Sequence, residues 1–357
     1  MWLTSLQAQN LRCFEKIELK LSPDINFFIG DNGAGKTSIL EAVDTLSRGK
    51  SFRANHLRTI ANYDNPEMSI FAEVDDGSKH SVQLGIQFRQ NRTELRINRE
   101  KVKKWSELAV CLPVIDIHPE SYLLITGGPV ERRKFLAWGT FHVEPSFLPL
   151  WTEYYRALRQ RNACLREQKP DQARHWHPIL AANGEKINSL FRKYSEQLSP
   201  YVTDLLRDFE LPQEIELCYS SGFNDQSLFD GLDKELKRHP KPMVTSCGPH
   251  RSDIKIYWND HEFAKTSSRG QQKVLALVLK LAQAKLLSNV SNKPSIYLID
   301  ELPAELDEKR CFSALSILKS LKCQAFITSV STERIESFTT AHSNTFHVEQ
   351  GQVREML

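Results

Sequence analysis

An α/β fold, with a mixed sheet, an antiparallel meander and an inserted α-helical second lobe, is what this sequence of 357 residues predicts. Three observations carry it. A glycine-rich octapeptide, Gly30-Asp31-Asn32-Gly33-Ala34-Gly35-Lys36-Thr37, joins an apolar run to an amphipathic stretch. Three runs between 69 and 98 alternate apolar and polar residues with a period of two, and two stretches between 147 and 209 repeat apolar residues at helical spacing.

Taken in order, Ser5-Leu6-Gln7-Ala8-Gln9 alternates, Leu11-Arg12-Cys13-Phe14 turns, and Ile17 to Leu21 alternates again, which predicts a pair of strands. Ile25-Asn26-Phe27-Phe28-Ile29 has buried-strand length, and Ile39, Leu40, Val43 and Leu46 lie on one helical face after the octapeptide. Runs 69–74, 82–88 and 93–98, parted by short polar breaks, predict an antiparallel meander with one wet face. From Gly127 the texture becomes helical. Phe147, Trp151, Tyr154, Leu158 and Leu165, then Ile187 through Phe209, predict a hairpin of two long helices with Pro170 and Pro178 in the connector. Strands 214–219 and 253–258, a helix Lys273–Leu287, a strand Ile296–Ile299, a helix from Asp307 and a strand 324–328 complete the chain. The expected division is residues 1–120 and 213–357 as two halves of one lobe, with 121–212 inserted.

The octapeptide fits G-x-x-x-x-G-K-[ST] between a strand and a helix, the layout of a phosphate-binding loop. Glycines let successive backbone N–H groups curl around phosphate oxygens, and the helix N-terminus adds partial positive charge. Lys36 then reaches the β- and γ-phosphates, and the Thr37 hydroxyl ligates Mg²⁺. Asp300, ending the apolar strand Ile296–Ile299, is the expected second Mg²⁺ ligand, and Glu301 the expected base that activates water. Ser267-Ser268-Arg269-Gly270-Gln271 opens an apolar helix, so Ser268 is an N-cap or an anion contact.

Composition narrows the classes. Forty per cent hydrophobic and 25% charged residues fit a globular protein, and a net charge of +3 leaves nucleic-acid contact to local basic patches. Seven scattered cysteines without a C-x-x-C pair argue for free thiols and against a zinc site. The start at Met1-Trp2-Leu3 lacks a signal pattern and no run reads as a membrane span, so the expected location is cytoplasmic, without a membrane partner.

Between the phosphate loop and Asp300-Glu301, the Ser268 segment resembles the signature motif of ABC-type ATPases, and Ala304-Glu305-Leu306-Asp307 resembles their D-loop. Together with Leu11–Phe14, Ser51-Phe52-Arg53, Gly128–Leu136 and Gly248–Asp253, these motifs resemble the RecF family of recombination-mediator ATPases, relatives of the structural-maintenance-of-chromosomes proteins. The resemblance implies an ABC-type P-loop ATPase head that binds ATP and Mg²⁺ and hydrolyses ATP weakly, stimulated by DNA. It implies an ATP-dependent homodimer in which Ser268 faces the partner's γ-phosphate, and Arg12 as a nucleotide contact. It also implies DNA (single-stranded or gapped duplex) and a RecR-type mediator protein as partners. Ser329 stands where transporters carry a switch histidine, and His118-Pro119-Glu120 occupies the region of their Q-loop.

For DNA the residues themselves offer Arg89, Arg92, Arg96, Arg99, Lys101, Lys103 and Lys104, with Arg132, Arg133, Lys134, Arg156, Arg159 and Arg161 on the insert. Two other readings stay open: a nucleotide-binding module of a transporter, and a non-hydrolysing ATP sensor that scaffolds partners. His175-Trp176-His177 reads as a packed connector and not a metal site.

Overall fold

The structure, a computed structural model, describes all residues except 76, 78–80, 224–226, 239–242, 292–293, 302–306, 331, 333–338, 340–341 and 357. Two compact units form: residues 1–121 with 287–357, and residues 122–286.

The first unit holds β1 (Trp2–Leu11), β2 (Phe14–Lys20), β3 (Ile25–Ile29), β4 (Met68–Asp75), β5 (Ser81–Arg89), β6 (Arg92–Ile97), β7 (Glu100–Val102) and β8 (Val114–Ile117). The second holds β9 (Ile215–Ser220), β10 (Asp253–Trp258) and β11 (His261–Glu262), and the first resumes with β12 (Ile296–Ile299), β13 (Ala325–Ser329), β14 (Asn344–Glu349) and β15 (Gln352–Met356). One sheet runs β2-β1-β4-β5-β6-β7, antiparallel throughout, so the expected meander is there and gains β7. Its alternation is physical: Met68, Ile70, Ala72 and Val74 are buried on one face of β4. Tight turns put Gln90-Asn91 between β5 and β6 and Asn98-Arg99 between β6 and β7 in a left-handed backbone, which asparagine tolerates best of the three residue types.

The other large sheet runs β15-β14-β3-β13-β12-β8, with β14, β3, β13, β12 and β8 parallel. Sequence reading did not identify β8, β14 and β15. β8 is only four residues long and carries Asp116 inside it, and β14 lies behind a stretch without clear alternation. The buried Gln324 side chain ties the two sheets, accepting from the Leu3 amide at 2.8 Å and donating to the Leu3 carbonyl at 2.8 Å. The helix Lys36–Arg48 is enclosed almost all round, with Glu41, Asp44 and Thr45 inaccessible as well as Ile39, Leu40, Val43 and Leu46.

The second unit is built on helices Phe147–Arg166 and His177–Asp208, the expected hairpin, with helices Pro129–Val143 and Leu228–Leu236 and the sheet β11-β10-β9. The segment 213–286, read from sequence as part of the other lobe, belongs with these helices: β9 and β10 pair here, and Arg132 holds Asp253 at 2.7 and 2.9 Å. The helix Arg269–Ser291 is long and apolar enough to cross a membrane, a property the sequence reading passed over. Two-thirds of its most apolar stretch (67%) is buried in the protein, as in a core helix.

Candidate functional site

In a parallel sheet, side chains at the carboxyl ends of the strands converge where loops leave for the helices. β3 delivers the loop Gly30–Thr37 there. Gly35 sits at φ +113°, a backbone that a side chain resists, and a Cβ on Gly30 would stand 2.0 Å from the Val348 carbonyl oxygen of β14. The Ala34 amide closes onto the Asp31 carbonyl at 3.2 Å, while the Asn32 and Gly33 amides have no hydrogen-bond partner among the described residues. The loop forms one wall of a groove of about 620 Å³, faced by Val330, Thr332, His347 and Glu349.

Lys36 lies folded against its own loop, its Nζ donating to the Gly30 carbonyl at 2.6 Å and to the Asp31 carbonyl at 2.9 Å. Burial lowers its pKa, and the nearby Glu301, Asp300 and Asp31 charges pull it back up. Thr37 Oγ1 donates to Asp300, 3.0 and 3.1 Å from its two carboxylate oxygens. Thr328 Oγ1, at the end of β13, donates to Asp300 Oδ1 at 2.8 Å and accepts the Glu301 amide at 2.8 Å. Glu301 has φ +60°, a left-handed backbone uncommon outside glycine and asparagine. That residue lies two positions past the end of β12.

A hydroxyl and a carboxylate side by side are hard oxygen donors, and two protein oxygens beside phosphates are what Mg²⁺ takes. Free loop amides, a helix N-terminus and a buried lysine suit polyphosphate. The donor set fits both groups.

Thus Lys36, Thr37, Asp300 and Glu301 come together, as read from the sequence. Arg12 is engaged otherwise: its guanidinium grips the buried Glu41 at 2.7 and 3.0 Å, and Ser51 donates to the same carboxylate at 2.7 Å. Leu11–Phe14 and Ser51-Phe52-Arg53 are therefore bound to the helix Lys36–Arg48 through Glu41. Ser268 lies in the second unit at the start of helix Arg269–Ser291. Its Oγ accepts the Gln271 amide at 3.3 Å and its amide donates to Gln271 Oε1 at 2.8 Å, a reciprocal cap. The next side chain, Arg269, lies over the Tyr122 ring, 5.1 Å from its centre. Ala304, Glu305 and Leu306 of the expected D-loop lie outside the described residues, and Asp307 caps the helix Glu308–Ser320 by accepting the Arg310 amide.

The basic residues divide. Arg89 pairs with Glu67, and Arg96 and Lys101 share Glu94, whereas Arg92, Arg99, Lys103 and Lys104 have no ion-pair partner among the described residues. On the insert the expectation fails for Arg161, which is fully buried, and Arg132 and Arg133 are spent on Asp253 and the Ser252 carbonyl. Thr328 escaped sequence reading; its only signal was its place at the end of an apolar run.

Among known proteins, the chain matches the family described as RecF/RecN/SMC N terminal domain over residues 2–354. It is 36% identical to the DNA replication and repair protein RecF of Pseudomonas aeruginosa strain LESB58, covering 99% of this chain and 98% of that one. A RecF of the same description from Stutzerimonas stutzeri strain A1501 is 35% identical over 100% of this chain and 98% of its own. Among solved structures it resembles the recombination mediator protein RecF of the RecFOR pathway, described as RecF-ATPrS, with TM-score 0.88 and 25% identity over 100% and 98% of the chains. An Smc head bound to the C-winged helix domain of ScpA shares the fold alone, with TM-score 0.59 at 14% identity over 100% and 97% of the chains.

Proposed function

This chain belongs to the RecF family of DNA replication and repair proteins within the RecF/RecN/SMC group, and we propose that it is an ATP-switched clamp on DNA. It is an ATP-binding ABC-type ATPase head. The observation that carries the switch is the Thr37–Asp300–Thr328 hydrogen-bonded row beside the phosphate loop, with Glu301 directly after it. In this reading the loop amides and Lys36 hold the β- and γ-phosphates, Lys36 exchanging its carbonyl partners for phosphate oxygens. Thr37 and Asp300 would hold Mg²⁺, which would neutralise charge on the phosphates. Glu301 takes the proton from an attacking water, the γ-phosphoryl group passes to that water, and ADP leaves with the bond's electron pair.

Ser268 caps its helix with its Oγ, and Ser268, Arg269 and Gly270 are exposed, so this helix start is an anion-accepting end for the γ-phosphate of a second copy. ATP then closes two heads on DNA, at gaps or single-strand/duplex junctions, and hydrolysis reopens them. A RecR-type mediator is the protein partner in this reading, and turnover is weak and DNA-stimulated. Phosphate contacts from Arg92, Arg99, Lys103 and Lys104 would make the grip salt-dependent and blind to sequence.

Sedimentation with ATP, ADP or no nucleotide, each with and without a gapped duplex, tests the clamp. Wild type is expected to dimerise only with ATP, and Ser268→Arg to bind ATP normally and remain monomeric. A wild type that stays monomeric with ATP, or a Ser268→Arg variant that dimerises, refutes it.

A further inference from the structure

The helix Phe147–Arg166 has a face that the packing of the helical unit leaves partly open. Its buried side carries Phe147, Tyr154, Leu158 and Leu165. Along the edge of that side run Trp151, Tyr155, Arg159, Asn162 and Arg166, at spacings of four, four, three and four residues. Such spacing puts side chains in one row along a helix, here about 22 Å long. Two half-buried rings begin the row, Trp151 and Tyr155, with centres 4.6 Å apart. Phe147 and Phe191, at 5.0 and 5.7 Å, hold Trp151 from the core side. The Tyr155 hydroxyl has no hydrogen-bond partner among the described residues. Burial raises its pKa, with the nearby Arg133 charge pulling it down, so it is a neutral donor.

The other end of the row is cationic. Arg159 and Arg166, with Arg156 beside them, are exposed and have no ion-pair partner among the described residues. The helix contains one acidic residue, Glu153, two positions from Tyr155 and so turned to the opposite side. A fourth arginine comes from the motif Gly248–Asp253, which the phosphate site does not use. Arg251 ends the short turn Pro249–Arg251, exposed, and donates to the Thr245 carbonyl at 3.4 Å. Thr245 is tied to Asn162 of the row, its amide and hydroxyl donating to Oδ1 at 2.8 and 2.7 Å. Arg251 therefore stands beside the row at Asn162.

Arginines without carboxylate partners attract phosphates. Aromatic rings add a contact that a duplex cannot use, because each base face there is covered by the next base. In a single strand the base faces are open and stack on aromatic side chains. We propose that this row is a site for single-stranded DNA, with bases stacking on Tyr155 and Trp151 and phosphates held by Arg156, Arg159, Arg166 and Arg251. The inference rests on the DNA reading above. It gives the helical unit the single-stranded side of a gap, and leaves duplex phosphates to Arg92, Arg99, Lys103 and Lys104.

The test is fluorescence anisotropy of the full chain with ATP against three probes: an oligo-dT strand, a strand of equal length made of abasic sites, and a blunt duplex. Arg156→Gln, Arg159→Gln and Arg166→Gln combined are expected to weaken oligo-dT binding about tenfold or more and to lower its salt slope by about 2, at about 0.7 per lost contact. Duplex affinity should stay within about twofold of wild type. Tyr155→Leu keeps an apolar side chain without a ring, and is expected to weaken oligo-dT about fivefold or more with the abasic strand unaffected. Tyr155→Phe keeps the ring and should bind oligo-dT within about twofold of wild type. Unchanged oligo-dT affinity in the arginine variant, an equal loss on duplex, or an equal loss on abasic strand and oligo-dT in Tyr155→Leu overturns the inference. The three arginines are exposed and unpaired, so their variant decides the matter even where Tyr155→Leu fails to fold. A wild type that binds neither duplex nor oligo-dT refutes the DNA reading itself, whereas one that binds both, with the arginine variant unchanged, removes the row alone.

Discussion

The carboxyl edge of the parallel sheet and the interior of the helical unit both bring charged side chains into rows, yet their groups differ in what they have left to bind. In the helical unit Arg161 is fully buried and closed on every side. It donates to Glu235 at 2.9 Å, Thr245 at 2.7 Å, the Leu232 carbonyl at 3.3 Å and His177 Nε2 at 3.1 Å. His177 Nδ1 in turn meets Asp233 at 2.9 Å, and Asp233 meets Arg174 at 2.6 Å. Burial, with the Arg161 charge beside it, lowers the His177 pKa, which suits an imidazole that accepts from Arg161. At the sheet edge the groups are half-committed: Lys36 holds loop carbonyls, Thr37 and Thr328 share one carboxylate, and Glu301 occupies a left-handed turn. A closed network specifies a fold; a half-committed one has capacity for ligand.

Substitutions can break this contrast. Glu301→Gln keeps size and removes the charge that takes the proton, so turnover should fall about 10²–10⁴-fold while ATP binding persists and ATP-dependent DNA complexes live longer. Turnover at the wild-type rate would remove Glu301 as the base. Arg161→Ala strands the buried Glu235 carboxylate, and breaking a buried pair costs about 3–5 kcal/mol. Urea unfolding should report that loss, and a change below about 1 kcal/mol would mean the network is not closed as described.

Titration sharpens the contrast, because one buried group in each unit responds to acid in the opposite sense. Burial holds the His250 imidazole, 2.6 Å from the Tyr154 hydroxyl, down at about 4 against an ordinary 6.5. A depressed pKa contributes stability that is present above pH 6.5 and lost as pH falls through about 4. Full loss is on the order of 3 kcal/mol. Burial lifts Asp44 to about 6 against 3.8, so its contribution is present in acid and lost as pH rises through about 6. Replacing His250 with Asn should flatten the acid limb of the stability curve, and Asp44→Asn the limb near pH 6. Parallel curves for all three proteins would contradict both assignments.

The smallest expected effect lies on the meander. Reversing Arg92, Lys103 and Lys104 to Glu should weaken DNA binding and lower the slope of log affinity against log salt by about 0.9 per lost duplex phosphate contact. Reversing Arg96 and Lys101, which share Glu94, should do less. Equal effects from the two sets would place the contact elsewhere.

Local signals determined much of this protein from the sequence alone. The phosphate loop was legible because glycine spacing, a preceding apolar run and a following amphipathic helix are all chain-local. The meander and the helical hairpin were legible because period two and period 3.6 survive without partners. Lys36, Thr37, Asp300 and Glu301 could be named because each ends or follows a readable element. Other matters were decided only in three dimensions, since burial and pairing are properties of neighbours far along the chain. Arg161 reads as a surface cation until Glu235, 74 positions away, neutralises it. Glu41 and Asp44 look like the wet face of a helix, and Arg12, Ser51 and Arg48 make their burial tolerable. β8 is too short to announce itself, so only its parallel pairing with β12, Asp116 opposite Leu298 and Ile117 opposite Ile299, reveals it. Residues 213–286 join the helical unit because strand pairing and the Arg132–Asp253 clamp outweigh proximity along the chain.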